Sequence, residues 1–356
     1  MNQKTFLLMA GGTGGHIFPA LAVAQSLKEQ GHQVVWLGSQ NSMEERLVPQ
    51  HGITLETIAM KGVRGNGLAR KLALPFMLIK AIQAAKNIII KHRVDAVIGF
   101  GGFVTFPGGI AAKMLDKPIV IHEQNAVAGL SNKVLAKWAA RVLYAFPNAF
   151  ADYPNGLVGN PVRADIARLP APEQRFANRS GSLNILVVGG SLGAQILNDL
   201  VPQALAKLPE HARPNITHQS GKGKLPALQR AYEAAGVSAK CMEFVDDMKS
   251  AYEHADLVIC RAGALTIAEL TAAGVGALLV PYPHAVDDHQ TANARFMVSA
   301  EAGLLLPQSQ LTADKLAEIL AGLTRPSCLK WAKNARTLAL PNSANDVAQI
   351  AIHIAA

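Results

Sequence analysis

A chain of 356 residues, half of them hydrophobic and 17% charged, holds apolar material for two domains and is too hydrophobic to be disordered. Aromatic residues at 5% are few for the stacking platforms of a single-strand nucleic-acid binder, and the formal net charge of +9 calls for an anionic partner: a membrane surface, nucleic acid or a phosphorylated substrate. Three scattered cysteines (Cys241, Cys260, Cys328) with no C-x-x-C pair exclude a disulfide framework or a zinc knuckle and fit a reducing cytosol.

In chain order, Phe6–Met9 reads as a buried strand, Gly11–Gly15 as a turn, Pro19–Gln30 as a helix and Val34–Leu37 as the next strand. The run Phe6–Ala10 is too short for a signal-peptide core. From Lys61 to Val94 come eight basic residues (Lys61, Arg64, Arg70, Lys71, Lys80, Lys86, Lys91, Arg93) and no acid, so one segment supplies almost the whole charge imbalance. Inside it Leu72–Ile79 is nearly all apolar, which predicts either a surface-docking face ringed by cations or a core-facing helix with a solvated basic side. Asp95–Gly99 leads into a glycine cluster at Gly99–Phe103, with Pro107-Gly108-Gly109 beyond, and Pro118–His122 is another buried strand. The Gly/Pro-rich stretch Gly156–Arg163 predicts a domain boundary. The pattern then restarts with the strand Leu183–Val188, the turn Gly189–Gly193 and the helix Ala194–Leu208. Leu257–Ile259 is a later strand, and Asn345–Ala356 reads as a final helix. No run of about 20 apolar residues exists to span a bilayer. Strands alternating with helices predict an α/β chain of two doubly wound domains.

The two turns repeat as G-G-[T/S]-x-G, each at the strand-to-helix crossing that opens its half. Glycines let main-chain N–H groups approach an anion at a helix N-terminus, although a lone loop of this kind is as readily a tight turn. The dinucleotide fingerprint is absent, because Ile17 stands where its third glycine would, and Leu37-Gly38-Ser39 ends the second strand without an acid. Gly221-Lys222-Gly223 lacks the Ser/Thr of a Walker loop. With the cluster at Gly99–Phe103 there are three glycine loops, enough for two phosphate-bearing substrates. His16, closing the first loop, is either a general base or a polar helix cap. Thr266 and Glu269 form a possible T-x-x-E capping box; alternatively Glu269 lies one turn inside a helix and accepts ribose hydroxyls. The acidic pairs Asp246-Asp247 and Asp287-Asp288 are not a D-x-D metal clamp, so a departing phosphate would be stabilised by helix dipoles, hydroxyls and arginines.

The strings GGTGGHIFPALAVA, GFGGFVTFPGG, IHEQNAVAGLSNK, VGNPVR, VVGGSLGA, CRAGALTIAEL and DDHQTANA resemble the MurG family, a match that runs in order from Met9 to about Ala294. Its members are the UDP-N-acetylglucosamine–N-acetylmuramyl-(pentapeptide) pyrophosphoryl-undecaprenol N-acetylglucosamine transferases. The resemblance implies the GT-B fold, two Rossmann-like domains facing across a cleft. Residues 1–162 would form an acceptor and membrane-docking domain, with the helix 341–356 packing back on it, and 163–340 a UDP-GlcNAc domain. Donor contacts are implied for Thr13, Gly14, Gly15, Asn125, Arg163, Ser191, the backbone of Val245 beside the uracil, Ala264, Leu265, Thr266, Ile267, Ala268, Glu269 and Gln290. Glu269 would hold the ribose, Gln290 the sugar hydroxyls, and Ser191 and Arg163 the diphosphate. His16 is implied as the catalytic histidine, with Glu123 beside it in the catalytic set. Phe103 stands where some members carry a tyrosine, so no hydroxyl acts there, and the loop Asp287–Gln290 is slightly longer than in some relatives.

The implied reaction is an inverting transfer of GlcNAc to lipid I, giving lipid II for peptidoglycan, with no cofactor and no metal. The partners would be UDP-GlcNAc, lipid I and, through 61–93, the anionic cytoplasmic face of the inner membrane. A UDP-GlcNAc epimerase shares the general fold but gives no reason for a docking segment. A basic nucleic-acid module explains the charge but not the paired glycine loops.

Overall fold

The computed structural model describes residues 2–59, 68–147, 149–190 and 192–355, with backbone alone at 68–73 and 286. Its chain divides into two compact units, Met1–Val162 with Leu340–Ala356, and Arg163–Ala339.

Short apolar runs become strands buried on both faces because helices cover the two sides of each sheet. In β1 (Thr5–Ala10), Leu7 and Met9 enter one core while Phe6, Leu8 and Ala10 enter the core on the opposite face. It is joined by β2 (Gln33–Ser39), β3 (Thr54–Ile58), β4 (Ala96–Gly101), β5 (Ile119–Glu123) and β6 (Arg141–Tyr144). All are parallel, in the order β3-β2-β1-β4-β5-β6. The second unit contains β7 (Asn184–Val188), β8 (Asn215–Gln219), β9 (Lys240–Met242), β10 (Leu257–Cys260), β11 (Gly276–Leu279) and β12 (Gly303–Leu305). Their order is β12-β11-β10-β7-β8-β9, again all parallel. Read from β9, this is the first unit's order. In both, the winding reverses beside the opening strand, between β1 and β4 and between β7 and β10. Crevices at such reversals receive ligands in open α/β sheets.

The final helix, Ser343–Ile354, packs on the helix Gly14–Glu29, and Val347, Ala348 and Ala351 join Ile17 and Leu21 in one core. Lys4 Nζ donates to the Ile352 carbonyl at 3.3 Å.

Two expectations shift. The helix predicted over Pro19–Gln30 spans Gly14–Glu29, so Pro19 lies in its second turn and not at its start. Thr13, extended at φ −129°, is the capping position, and the turn shrinks to Gly11–Thr13. In the basic segment, Lys91 and His92 each lie 2.7 Å from Glu56 Oε1, so the Lys91 charge is neutralised within its own unit. Lys61 and Arg64, and the side chains of Arg70, Lys71 and Leu72, lie outside the described residues.

Candidate functional site

In the first unit, β1 ends at Ala10, just before Gly11, and β4 at Gly101, and the loops that follow touch. Gly102 has φ +84°, and a Cβ there would collide with the Gly11 carbonyl. Gly101, at φ +99°, would place a Cβ 3.1 Å from His16 Nε2. Both positions therefore require glycine twice over, for backbone conformation and for space. The Thr105 hydroxyl staples this junction, 2.7 Å from the Gly101 carbonyl and 3.0 Å from that of Met9.

His16 is the third residue of its helix, with Nδ1 3.2 Å from the Gly11 carbonyl and 3.4 Å from Thr13 Oγ1. A carbonyl only accepts, so Nδ1 carries the proton there and the lone pair resides on Nε2, the tautomer a general base needs. Thr13 is exposed, and Gly14 and Gly15 are half-buried.

Glu123, at the end of β5, is buried and saturated. Its Oε1 accepts from the Asn125 N–H at 3.0 Å and from Asn125 Nδ2 at 3.3 Å; its Oε2 accepts from the Gly129 N–H and Asn132 Nδ2, both at 2.9 Å. The carboxylate thus shapes the loop that carries Asn125. Next to it His122 is fully buried, donating from Nε2 to the Gly159 carbonyl at 2.8 Å and accepting from Gln124 at Nδ1, 3.0 Å. Burial pushes its pKa down to about 4, against a weaker upward pull from the Gly159 bond and Glu123.

Sequence reasoning missed Glu44. The acid absent from the end of β2 arrives from the helix Met43–Gln50, with Oε1 accepting from the Ser39 N–H (2.9 Å) and hydroxyl (2.8 Å). Burial raises its pKa, but these bonds outweigh burial and leave it below the usual carboxylate value. A Cβ on Gly11 or Gly38 would come within 2.6 or 2.7 Å of its side chain, so those glycines make room for it. The one available signal was an acid in the first turn after a strand ending in Gly-Ser.

In the second unit the loop Gly189–Gly193 is held by Gly193 N–H to Gly190 O at 2.8 Å, with φ +84° at Gly190 and +70° at Gly193. Ser191 lies outside the described residues. The Gly221-Lys222-Gly223 turn, which fails as a Walker loop, packs against this one: a Cβ on Gly193 would strike the Ser220 carbonyl, and one on Gly221 the Gly193 backbone. Gln219 Nε2 donates to Gly190 O at 2.9 Å, and Asn198 Nδ2 to Ser220 O at 3.0 Å.

Across the β7/β10 reversal, the helix Ala264–Ala273 is capped by Gly263 and ends at left-handed Gly274. Thr266 lies inside it, so the T-x-x-E capping box does not form. Ala264 and Ile267 are buried, and Leu265, Thr266 and Ala268 half-buried. Glu269 is 8% exposed. Its Oε2 accepts from the Tyr252 hydroxyl at 3.0 Å, and its Oε1 lies 3.4 Å from Arg163 Nη2. Burial raises its pKa, while Arg163 and the Tyr252 bond pull the other way. Arg261 is occupied elsewhere, with the carbonyls of Val280 and Pro281 and with Gln308 Oε1 at 2.8 Å. Buried Val245 borders a cavity of about 550 Å³ with Lys240, Phe244 and Asp246. Gln290 Oε1 accepts from the Tyr282 N–H at 2.9 Å, just past Asp287 and Asp288, both at positive φ.

The structure therefore brings His16 onto Gly101, Asn125 onto Glu123, and Arg163 with Tyr252 onto Glu269. Phe103 is exposed at the first site. Residues 6–144 match the glycosyltransferase family 28 N-terminal domain and residues 184–350 its C-terminal domain. Over all 356 residues of both chains, the sequence is 73% identical to the UDP-N-acetylglucosamine–N-acetylmuramyl-(pentapeptide) pyrophosphoryl-undecaprenol N-acetylglucosamine transferase of Neisseria meningitidis serogroup C. This chain belongs to the MurG family.

A protein of the same name from Cupriavidus metallidurans is 52% identical over 100% of this chain and 99% of its own. The crystal structure of Acinetobacter baumannii MurG superposes with a TM-score of 0.87 at 44% identity, covering 98% of this chain and 99% of that one. The MurG relatives thus match both units and the final helix, not one half alone. Within this MurG chain Glu123 is saturated by four hydrogen bonds, whereas Glu269 keeps acceptor capacity.

Proposed function

We propose that this chain transfers N-acetylglucosamine from UDP-GlcNAc to the C4 hydroxyl of the N-acetylmuramyl group in lipid I, forming lipid II for peptidoglycan synthesis. The observation that carries this is the end-to-end 73% identity to a transferase of that name.

The acceptor O4–H attacks the anomeric carbon from the face opposite the diphosphate. The O4–C1 bond forms, the C1–O phosphate bond breaks, and UDP leaves with the electron pair, so the configuration inverts. His16 Nε2 takes the proton, its ring oriented by the Nδ1–H bond to Gly11 O. Glu269 accepts the ribose hydroxyls, supported by its position one to two turns into the helix and its remaining lone pairs. Arg163 and Ser191 meet the diphosphate, the Val245 backbone the uracil, the first turns of the helix at Ala264–Ala268 the nucleotide, and Gln290 the sugar hydroxyls. Thr13, Gly14, Gly15 and Asn125 complete the donor set from the first unit. Glu123 serves by holding the Asn125 loop.

The chain works as a peripheral enzyme at the cytoplasmic face of the inner membrane. Among the described residues no helix is long and apolar enough to cross a membrane. The helix Leu68–Lys91 turns Ala81, Ala85, Ile88 and Ile89 into the core while Phe76 is 73% and Ile79 64% exposed. With exposed Lys80 beside them, this face suits an anionic leaflet, where each cation near the surface adds about 1 kcal/mol.

The test is transfer of radiolabel from UDP-GlcNAc to a short-chain lipid I analogue. A labelled disaccharide lipid with release of UDP is expected; epimerised donor without transfer would overturn the reading.

A further inference from the structure

Tyr252 lies on the helix Met248–His254, which Asp247 caps by accepting from the Ser250 N–H at 2.9 Å. This helix begins three residues after Val245. Its tyrosine is fully buried, yet the hydroxyl is not wasted: it donates to Glu269 Oε2 at 3.0 Å. A phenol has one proton to give, and here it goes to the carboxylate. A carboxylate offers about four lone-pair positions, of which Tyr252 and Arg163 take one each. Two remain, the number a vicinal diol requires.

We propose that Tyr252 is a positioning residue for donor selection, orienting the ionised Glu269 carboxylate so that its remaining lone pairs meet both ribose hydroxyls of a nucleoside diphosphate sugar. This rests on the reading of Glu269 as the ribose acceptor. It adds a physical link: one seven-residue helix ties the chain beside the base to the carboxylate under the sugar. The groups facing the pair are Arg163 and Asp165, at the start of the four-residue helix Ala164–Ala167, and Cys260 from β10. Burial holds the Cys260 thiol at about 12 and keeps it neutral, so among these groups Arg163 is the positive charge. Burial already raises the Glu269 carboxyl, and Tyr252 is one of the few influences opposing it.

The experiment compares UDP-GlcNAc with its 2′-deoxyribose analogue on four proteins: wild type, Tyr252→Phe, Glu269→Gln and the double variant. Tyr252→Phe is expected to raise KM for UDP-GlcNAc roughly tenfold, the size of one hydrogen bond to a charged group, with kcat nearly unchanged. Its KM should climb more steeply than that of wild type as pH falls below neutrality, because the carboxyl loses a donor that favours its ionised form. The preference for the ribose donor should shrink in parallel. Added to Glu269→Gln, the same change should have little further effect, whereas a merely structural loss would add in full. Unchanged KM and ribose preference in Tyr252→Phe, or full additivity in the double variant, would overturn the inference. If Glu269→Gln itself leaves the ribose preference intact, the donor-site reading fails instead. The double variant carries no buried unpaired charge at this site, so it keeps the test open should Tyr252→Phe fold poorly.

Discussion

The two units share one strand order and one crossing geometry, yet the buried glutamates Glu123 and Glu269 are held in opposite ways. In the first, Glu123 accepts four hydrogen bonds, all from amides of its own neighbourhood, and none of its partners is a cation. In the second, Glu269 has one good hydrogen bond and a long contact to Arg163, and burial raises its pKa. Glu123, saturated by main-chain and side-chain amides, is architecture; Glu269, left with acceptor capacity, is the acid to which the proposed ribose contact is assigned. Topology alone does not distinguish the halves. The donors around the acids do.

The contrast can be broken most forcefully at His16. Replacing it with alanine should cut kcat by about a hundredfold or more, with little change in the KM for UDP-GlcNAc, since a base acts in the transition state and not in donor binding. Near-normal turnover would remove the base assignment. Glu123→Ala and Glu269→Gln sharpen the comparison. The first should cost roughly 3 kcal/mol of unfolding free energy in a denaturant titration, because buried Asn132 is left unpaired and the Asn125 loop loses its acceptor. The second should leave the unfolding midpoint nearly in place and weaken UDP binding by about 2 kcal/mol in calorimetry. Equal effects of both changes on stability would erase the distinction.

A likeness between the units offers a subtler test. Each buries a histidine as its neutral form: His122 at about 4 and, lowered by burial, His218 at about 3. The unfolded chain protonates both near 6.5 while the folded chain does not, so the unfolded state binds more protons between those values. Stability should therefore fall as pH drops from about 6.5 toward 4, and His122→Gln should flatten part of that slope. The smallest expected effect is on the surface. Phe76→Ser with Ile79→Ser should shift the unfolding midpoint by less than about 0.5 kcal/mol while weakening flotation with anionic vesicles. Undiminished flotation would remove this face from the docking role.

Much was legible before any coordinates. The alternation of short apolar runs with helical stretches announced parallel sheets, and the repeated G-G-[T/S]-x-G marked the opening crossing of each unit. Those signals are local, because a strand buried on both faces and a glycine at positive φ leave their mark in consecutive residues. The site was less legible. Pro19 suggested a helix start that falls at Gly14, and T-x-x-E suggested a cap that Gly263 provides. Glu44 was passed over because it sits on the helix that follows β2 and not at the strand's end, where an acid was sought.

What the sequence by itself determined here is the family, the doubly wound class and the places where backbone must turn without a side chain. Only the tertiary structure decided that Glu123 is saturated, that Tyr252 reaches Glu269, and that Gly221 walls the second glycine loop. The Asn132 and Tyr252 bonds reach 9 and 17 positions along the chain and the Gly193–Gly221 contact 28, and such contacts turn on distance and direction in space, quantities that no linear spacing encodes.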